Sequence, residues 1–272
     1  MKKIFLLSAI LLLSACAPRQ LKVVSYNIRL GVADDGPNSW DIRKGASPAM
    51  IKDIAPDIFG LQEAYRFQVD YMKETCPEYG AIGVGREDGV EEGEHMEIFY
   101  RKDRFELEDW GTFWLSETPE VPSMGWDAAC MRTATWCRLK AIRGGRRFYY
   151  VNTHLDHVGK LARRNGLSLI VDRIGSINPE GYPMVLTGDL NVVPTDSCLL
   201  SLEGRMLSAR ETAEVSDTLG SYNAWGYRRA EQIDYIYYSG FRKALSFRTV
   251  TDTFASRPFI SDHYPVTAVL EF

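Results

Sequence analysis

The chain has 272 residues and a formal net charge of −4. That length can bury a substantial core in one large α/β domain or two small ones. The acidic balance argues against tight, unspecific binding to duplex nucleic acid, which relies on many Lys and Arg contacts to phosphate.

The N-terminus reads as an export signal. Lys2 and Lys3 precede an apolar run over 4–13 that is too short to span a bilayer as a mature helix. The junction Leu13-Ser14-Ala15-Cys16 resembles a bacterial lipobox. The expectation is a lipoprotein signal peptide over 1–15, a lipidated Cys16 with a short tether over 16–20, and a folded domain over 21–272. Ala17 in place of Asp points, by the usual sorting rule, to the outer membrane of a Gram-negative cell envelope. There is no Pro/Gly/Ser-rich linker, low-complexity tract or internal repeat, which favours one domain. The later cysteines, Cys76, Cys130, Cys137 and Cys198, permit several pairings among which the sequence does not choose, and none has the short spacing of a zinc site.

The β-rich run 21–29 leaves Asn27 near its end. The loop Asn38-Ser39-Trp40-Asp41-Ile42-Arg43 sets an aromatic beside a guanidinium, a pair suited to stacking on and ion-pairing with a substrate. Trp40 serves equally as a staple on the helix expected over 43–55. A second apolar strand ends in Leu61-Gln62-Glu63 and runs into a helix over 67–76, whose N-terminal dipole an acid also favours. The acidic, glycine-containing run 85–93 reads as a mobile loop, followed by an alternating strand over 94–101. Residues 104–108 and 110–115 read as further strands, and 134–142 with 147–152 as a hairpin turning at Gly144-Gly145. The second arm ends in Thr153-His154-Leu155-Asp156-His157, with His154 and Asp156 on one face. A helix follows over 158–174, with Arg163 and Arg164 as solvated charges.

The apolar run Met184-Val185-Leu186 delivers Thr187-Gly188-Asp189-Leu190-Asn191, so Asp189 and Asn191 fall where a buried strand gives out. That is where open α/β sheets place their chemistry. A helix is expected over 195–202, then a strand over 232–238 carrying Asp234. The turn Ser261-Asp262-His263-Tyr264-Pro265 leads to a closing strand over 266–272.

Each of these sites is ordinary alone. In order, Tyr26-Asn27-Ile28, Leu61-Gln62-Glu63, Asn152-Thr153-His154-Leu155, Gly188-Asp189-Leu190-Asn191, Gln232-Ile233-Asp234-Tyr235-Ile236 and Ser261-Asp262-His263-Tyr264-Pro265 closely resemble the endonuclease/exonuclease/phosphatase superfamily of metal-dependent phosphoesterases, over essentially the whole mature chain. The segments 110–116 and 132–136 look like its bacterial exported branch. The resemblance implies a DNase I-like four-layer α/β sandwich, two packed mixed β-sheets flanked by helices. It implies Mg²⁺, with Mn²⁺ as the alternative, held by Glu63 with Asn27 and Asp262 close to the metal or its waters. It further implies that Asp189 orients or deprotonates the attacking water and that Asn191 holds the scissile phosphate. His154 and His263 contact phosphate oxygens, each kept protonated by a carboxylate, Glu94 and Asp234 respectively. Glu97 is the alternative partner for His154, while His95 and His157 fall outside the pattern, at the surface. Trp40, Arg43 and Arg132 are candidate substrate contacts. The expected reaction is in-line attack of water on a phosphate ester. A small or single-stranded phosphodiester is preferred over a sugar or headgroup monoester, and a non-catalytic binding module on the same fold is the alternative. The membrane is met through the lipid anchor, and no obligate protein partner is expected.

Overall fold

The computed structural model describes residues 19–272; the expected signal peptide and Cys16 lie outside the described residues. In chain order the strands are β1 (Gln20–Asn27), β2 (Ile58–Gln62), β3 (Ala64–Tyr65), β4 (Tyr79–Ile82), β5 (Glu94–His95), β6 (Ile98–Arg101), β7 (Phe105–Trp114), β8 (Thr133–Ala141), β9 (Arg147–His154), β10 (Met184–Asp189), β11 (Leu207–Ser208), β12 (Val215–Ser216), β13 (Asp234–Ser239), β14 (Lys243–Thr249) and β15 (Val266–Glu271). They form a seven-stranded sheet ordered β12-β14-β15-β1-β2-β6-β4 and a six-stranded sheet ordered β11-β13-β10-β9-β8-β7, with β3 and β5 paired apart. Both large sheets are mixed: β1–β2 and β9–β10 run parallel, whereas β1–β15 and β10–β13 run antiparallel.

Side-chain alternation decides the layering. Leu21 and Val23 of β1 enter the core between the sheets, whereas Val24 and Tyr26 face outward. Phe148 and Tyr150 of β9, Val185 of β10, and Ile236 and Tyr238 of β13 pack into the same inner layer. The outward face of the first sheet is covered by α1 (Trp40–Arg43), α2 (Ala46–Ile54) and α3 (Arg66–Thr75) through Met50, Ile51, Val69 and Met72. Leu167, Ile170 and Val171 of α4 (Lys160–Ile177) cover the second. The result is the four-layer sandwich the resemblance implied.

Several boundaries differ from expectation. The helix over 43–55 is two helices, broken at Lys44-Gly45. The strand over 94–101 is interrupted at Met96-Glu97, so that β5 leaves the large sheet to pair with β3. The helix over 195–202 is a 3₁₀ turn, Ser197–Leu202, started by Asp196, whose carboxylate accepts from Cys198 N–H at 2.8 Å. The run 85–93 is closed on Asp88, whose Oδ1 accepts the backbone N–H groups of Val90, Glu91 and Glu92. Strand β14 went unread because a bulge between Ala244 and Ser246 breaks its alternation.

Toward one end of the sandwich the inner layer turns polar. Gln62 Nε2 donates across the sheets to Asn152 Oδ1 at 2.6 Å, Thr187 Oγ1 donates to the same oxygen at 3.2 Å, and Asn152 Nδ2 donates to Leu61 O at 2.7 Å. Buried amides placed like this are tolerable because both NH₂ groups and the Asn152 oxygen find partners, which leaves Gln62 Oε1 as the one unpaired amide atom of the pair. The parity that buries Val23, Tyr150, Val185 and Ile236 puts Asn27, His154, Asp189 and Asp234 on the same side, just beyond this polar layer.

Gly188 permits this close approach: a Cβ there would lie 2.4 Å from the carbonyl oxygen of Thr153 on β9. Because that atom is backbone in a paired strand, it cannot swing aside. Gly188→Ala is expected to cost about 1–3 kcal/mol, seen as a lower urea midpoint with unchanged m-value.

Candidate active site

The site is built where four inner-face strands end together. Asn27 closes β1, His154 closes β9, Asp189 closes β10 and Asp234 opens β13. Pairing sets Asp189 opposite both His154 and Asp234 in the ladder. Glu63 and Asn191 each follow a strand end in the left-handed backbone region, with φ of 61° and 52°. Residues other than Gly adopt this region at a cost, and such strain gathers at functional sites. For Asn191 the turn is held by its own N–H donating to Asp189 Oδ1 at 2.9 Å.

Asn27 sits at the centre. Its Oδ1 accepts from Arg29 N–H at 2.9 Å, which fixes the amide orientation. Its Nδ2 therefore faces acceptors, donating to Glu63 Oε1 at 2.9 Å and to Asp189 Oδ2 at 3.0 Å. Leu30 N–H donates to the other Glu63 oxygen at 2.9 Å. Burial alone would raise the Glu63 pKa, but His263, the Asn27 amide, Leu30 N–H and Arg29 outweigh it and hold the carboxyl below its ordinary range. Asp189 goes the other way. Burial, reinforced by Asp234, pushes its carboxyl up to about 7 against the pull of His263 and its hydrogen bonds.

The two imidazoles differ. His263 Nδ1 lies 2.8 Å from Asp234 Oδ2, and its Nε2 lies 3.7 Å from Asp189. Burial opposes its charge, yet Asp234 and Asp189 raise it well above the ordinary histidine value. His154 is driven well below that value, first by burial and then by Arg132 and Arg86. Asn191 Nδ2 donates to Leu155 O at 3.0 Å, so the same NH₂ group meets His154 Nε2 at 2.9 Å and makes that nitrogen the acceptor of a neutral ring.

Glu63, His154 and Asp189 each place a ligand atom within 4.8 Å of the others, as do Asp189, Asp234 and His263. An ionised Glu63 beside a second carboxylate fits a hard divalent cation that keeps several of its waters. Glu63, His154, Asp189 and His263 line a cleft of about 460 Å³, together with Arg29, Arg86, Glu94, Cys130, Arg132, His157, Tyr222, Arg228 and Asp262, while Asp234 stands behind His263.

A model of the endonuclease/exonuclease/phosphatase family matches residues 24–263. The chain belongs to that family. An endonuclease/exonuclease/phosphatase from Bacteroides vulgatus has a solved structure that is 37% identical, aligning 93% of this chain with 99% of that one at a TM-score of 0.88. A mannosyl-6-phosphatase from Bacteroides thetaiotaomicron is 35% identical, over 93% of this chain and 100% of that one, also at a TM-score of 0.88. The human Nocturnin catalytic domain, 19% identical over 93% of this chain and 95% of its own at a TM-score of 0.73, shares the fold.

Set against the family pattern, Asn27, Glu63, Glu94, Arg132, His154, Asp189, Asn191, Asp234, Asp262 and His263 come together around this one cleft. Several expected contacts do not form. Asn27 stands beside Glu63, as a donor between its carboxylate and that of Asp189. Asp262 joins neither ligand group and instead meets Arg29 at 3.6 Å. Glu94 is 3.8 Å from His154 Nδ1, drawn off by Arg86 at 2.8 Å and Arg132 at 3.6 Å, so it does not keep that ring protonated. Glu97 is turned away toward Lys73 and His95, and His95 is buried, not at the surface. Arg163 is likewise buried, donating to Asp156 O at 3.0 Å.

Trp40 and Arg43 do not reach the cleft. Trp40 packs edge-on against Tyr71, and the guanidinium of Arg43 is buried, donating to the carbonyls of Asn38, Ile28, Ile260 and Arg29. It ties three chain segments together and spends four of its five N–H donors on those carbonyls. Arg43→Leu is therefore expected to cost about 2–4 kcal/mol through orphaned carbonyls, while KM of the folded fraction stays unchanged; thermal unfolding and steady-state kinetics check the two halves separately.

Sequence reasoning missed Arg86, Tyr222 and Arg228. Arg86 carried a usable signal, as the one cation within the acidic run 85–93. Tyr222 and Arg228 come from a loop that no periodic pattern marks.

Proposed function

We propose that this family member is a divalent-metal-dependent phosphomonoesterase acting on small, water-soluble phosphate esters. The observation that carries this reading is the convergence of Glu63, Asp189 and His263 in a cleft of about 460 Å³, a size that encloses a small ligand. A diester strand needs a long basic track. Here three of the four cleft arginines have their charge balanced by acids: Arg29 by Asp35, and Arg86 and Arg132 by Glu94. Among the described residues of the cleft, Arg228 stands apart, stacked over Tyr222 at 4.5 Å. The likeness to a mannosyl-6-phosphatase supports a monoester in preference to the diester expected from sequence.

Glu63, with Asp189 beside it, would hold the cation, for which we propose Mg²⁺; when bound it neutralises phosphoryl oxygens and supplies water in its shell. Asp189 Oδ2 takes the proton of the attacking water, which its raised pKa suits near neutral pH. His263, steadied through Nδ1 by Asp234, offers its Nε2 proton to a phosphoryl oxygen. Asn191 orients the neutral His154 ring, and Asn27 keeps Glu63 and Asp189 apart and aimed. Attack is in line, with no covalent intermediate on the protein: the water oxygen bonds to phosphorus as the ester P–O bond opposite it breaks, and the departing alcohol oxygen takes its proton from solvent.

We further propose attachment to the outer membrane through Cys16. In that arrangement β1 starts at Gln20 on the anchored side and delivers Asn27 seven residues later, roughly 23 Å away at about 3.3 Å per residue. The cleft then faces away from the anchoring membrane, toward soluble substrates.

The test is hydrolysis of p-nitrophenyl phosphate against bis-p-nitrophenyl phosphate with Mg²⁺, Mn²⁺ or EDTA. Metal-dependent preference for the monoester is expected. Preference for the diester returns the assignment to a phosphodiesterase, and metal-independent turnover defeats the metal reading.

A further inference from the structure

One wall of the cleft holds polar groups that the protein itself does not satisfy. Arg86 Nε and Nη1, Arg132 Nε and Nη1, Glu94 Oε2 and His154 Nδ1 are buried without hydrogen-bond partners. All four residues are more than nine-tenths buried and line the cleft. Ionic contacts join them, Arg86 to Glu94 at 2.8 Å, Arg132 to Glu94 at 3.6 Å and Arg132 to Asp156 at 3.7 Å. None of these contacts lies along a hydrogen-bond direction. Folded proteins rarely leave buried charged groups in this state, because each forfeits the hydration it had in water. A group that recurs in the cleft and supplies the missing bonds accounts for their retention.

The chemistry of that group follows from charge. Two guanidinium groups face two carboxylates, so the wall is balanced and offers no excess attraction to a second phosphate or a carboxylate. A neutral ligand that both donates and accepts matches it, and a run of hydroxyl groups does so. Position points the same way. The His154 ring lies between the wall and the reacting centre, with Nε2 3.4 Å from Asp189 and Nδ1 3.8 Å from Glu94. A group leaving the phosphorus therefore has this wall within one ring's width.

We propose that Arg86, Arg132 and Glu94 form the leaving-group subsite, and that the alcohol it takes is polyhydroxylated, with hydroxyls accepting from the guanidinium groups and donating to Glu94. The subsite makes this protein a phosphatase of sugar-like phosphates. It rests on the phosphomonoesterase reading above and refines its substrate.

The matched probes are a panel of hexose 6-phosphates and cyclohexylmethyl phosphate, a primary phosphate with a ring of the same size and no hydroxyls. At least one hexose phosphate is expected to exceed the cyclohexyl ester by about a hundredfold or more in kcat/KM, since a site built to bond hydroxyls strongly rejects an analogue without them. Arg86→Met and Arg132→Met are expected to lower that ratio at least tenfold. A wild-type ratio near one for every hexose overturns the subsite, whatever becomes of the variants. An undiminished ratio in soluble, folded Arg86→Met and Arg132→Met, verified by circular dichroism, also overturns it. Failure of the parent reading looks different: wild type then turns over neither p-nitrophenyl phosphate nor any ester of the panel with either metal.

Discussion

Asp189→Asn is expected to lower kcat by about a thousandfold with little change in KM. The substitution keeps the shape of the side chain and its contact with Asn191 N–H, but the amide cannot accept a proton from water. A structural role alone would disturb binding and turnover together, so the separation of kcat from KM is the informative readout. Stability in EDTA gives a second, independent one. The folded pKa of Asp189, about 7, stands above its unfolded value of 3.8. The native state therefore binds the extra proton, and the stability this contributes is fully present below pH 3.8 and is lost as pH rises through 7. Asparagine does not titrate. The unfolding free energy of the variant relative to wild type should accordingly climb between about pH 4 and pH 7, on top of any constant offset from the amide facing Asn27. A pH-independent difference would show that Asp189 is ionised throughout and would remove the reason for casting it as the base.

Glu63→Gln is expected to weaken Mg²⁺ binding by about a hundredfold or more, with activity partly restored at high metal concentration. Glu63 is the carboxylate whose surroundings hold it ionised: its two oxygens receive Asn27 Nδ2 and Leu30 N–H, and His263 adds its charge. A hard cation takes an ionised oxygen in preference to an amide. Calorimetric titration of the metal measures the first effect without substrate, and the metal dependence of turnover measures the second. Unchanged metal affinity in the variant would move the cation to the group formed by Asp189, Asp234 and His263.

The two variants divide the site by chemistry. On the proposed reading, Asp189→Asn would remove the proton acceptor and keep the main holder of the cation, whereas Glu63→Gln would remove that holder and keep the acceptor. Gly188, next to Asp189, couples stability to both, because its missing side chain lets β9 and β10 approach closely enough to bring His154 to Asp189.

Local pattern carried a large part of this protein. Apolar runs ending in a polar residue marked β1, β2, β9 and β10, because a strand's alternation and its limits are written in consecutive residues. The ordered motifs then marked which of those polar residues meet, and the family match bears out the fold and the family they implied. Tertiary structure decided the rest. Arg43 and Arg132 both read as arginines free to meet substrate, yet Arg43 is consumed by carbonyls from distant segments and Arg132 is placed in the cleft. Glu94 and Glu97 lie three residues apart, but the strand break between β5 and β6 turns one to the cleft and the other to Lys73. The states of the two histidines, one charged and one neutral, follow from which cations and anions other strands bring near each buried ring. Composition and periodicity act over neighbouring residues, so the sequence by itself determined which strands end in polar side chains, and the order of those motifs pointed to the family. Burial, charge pairing and the fate of each donor act across the fold, so only the packed sheets determined what those residues are free to do.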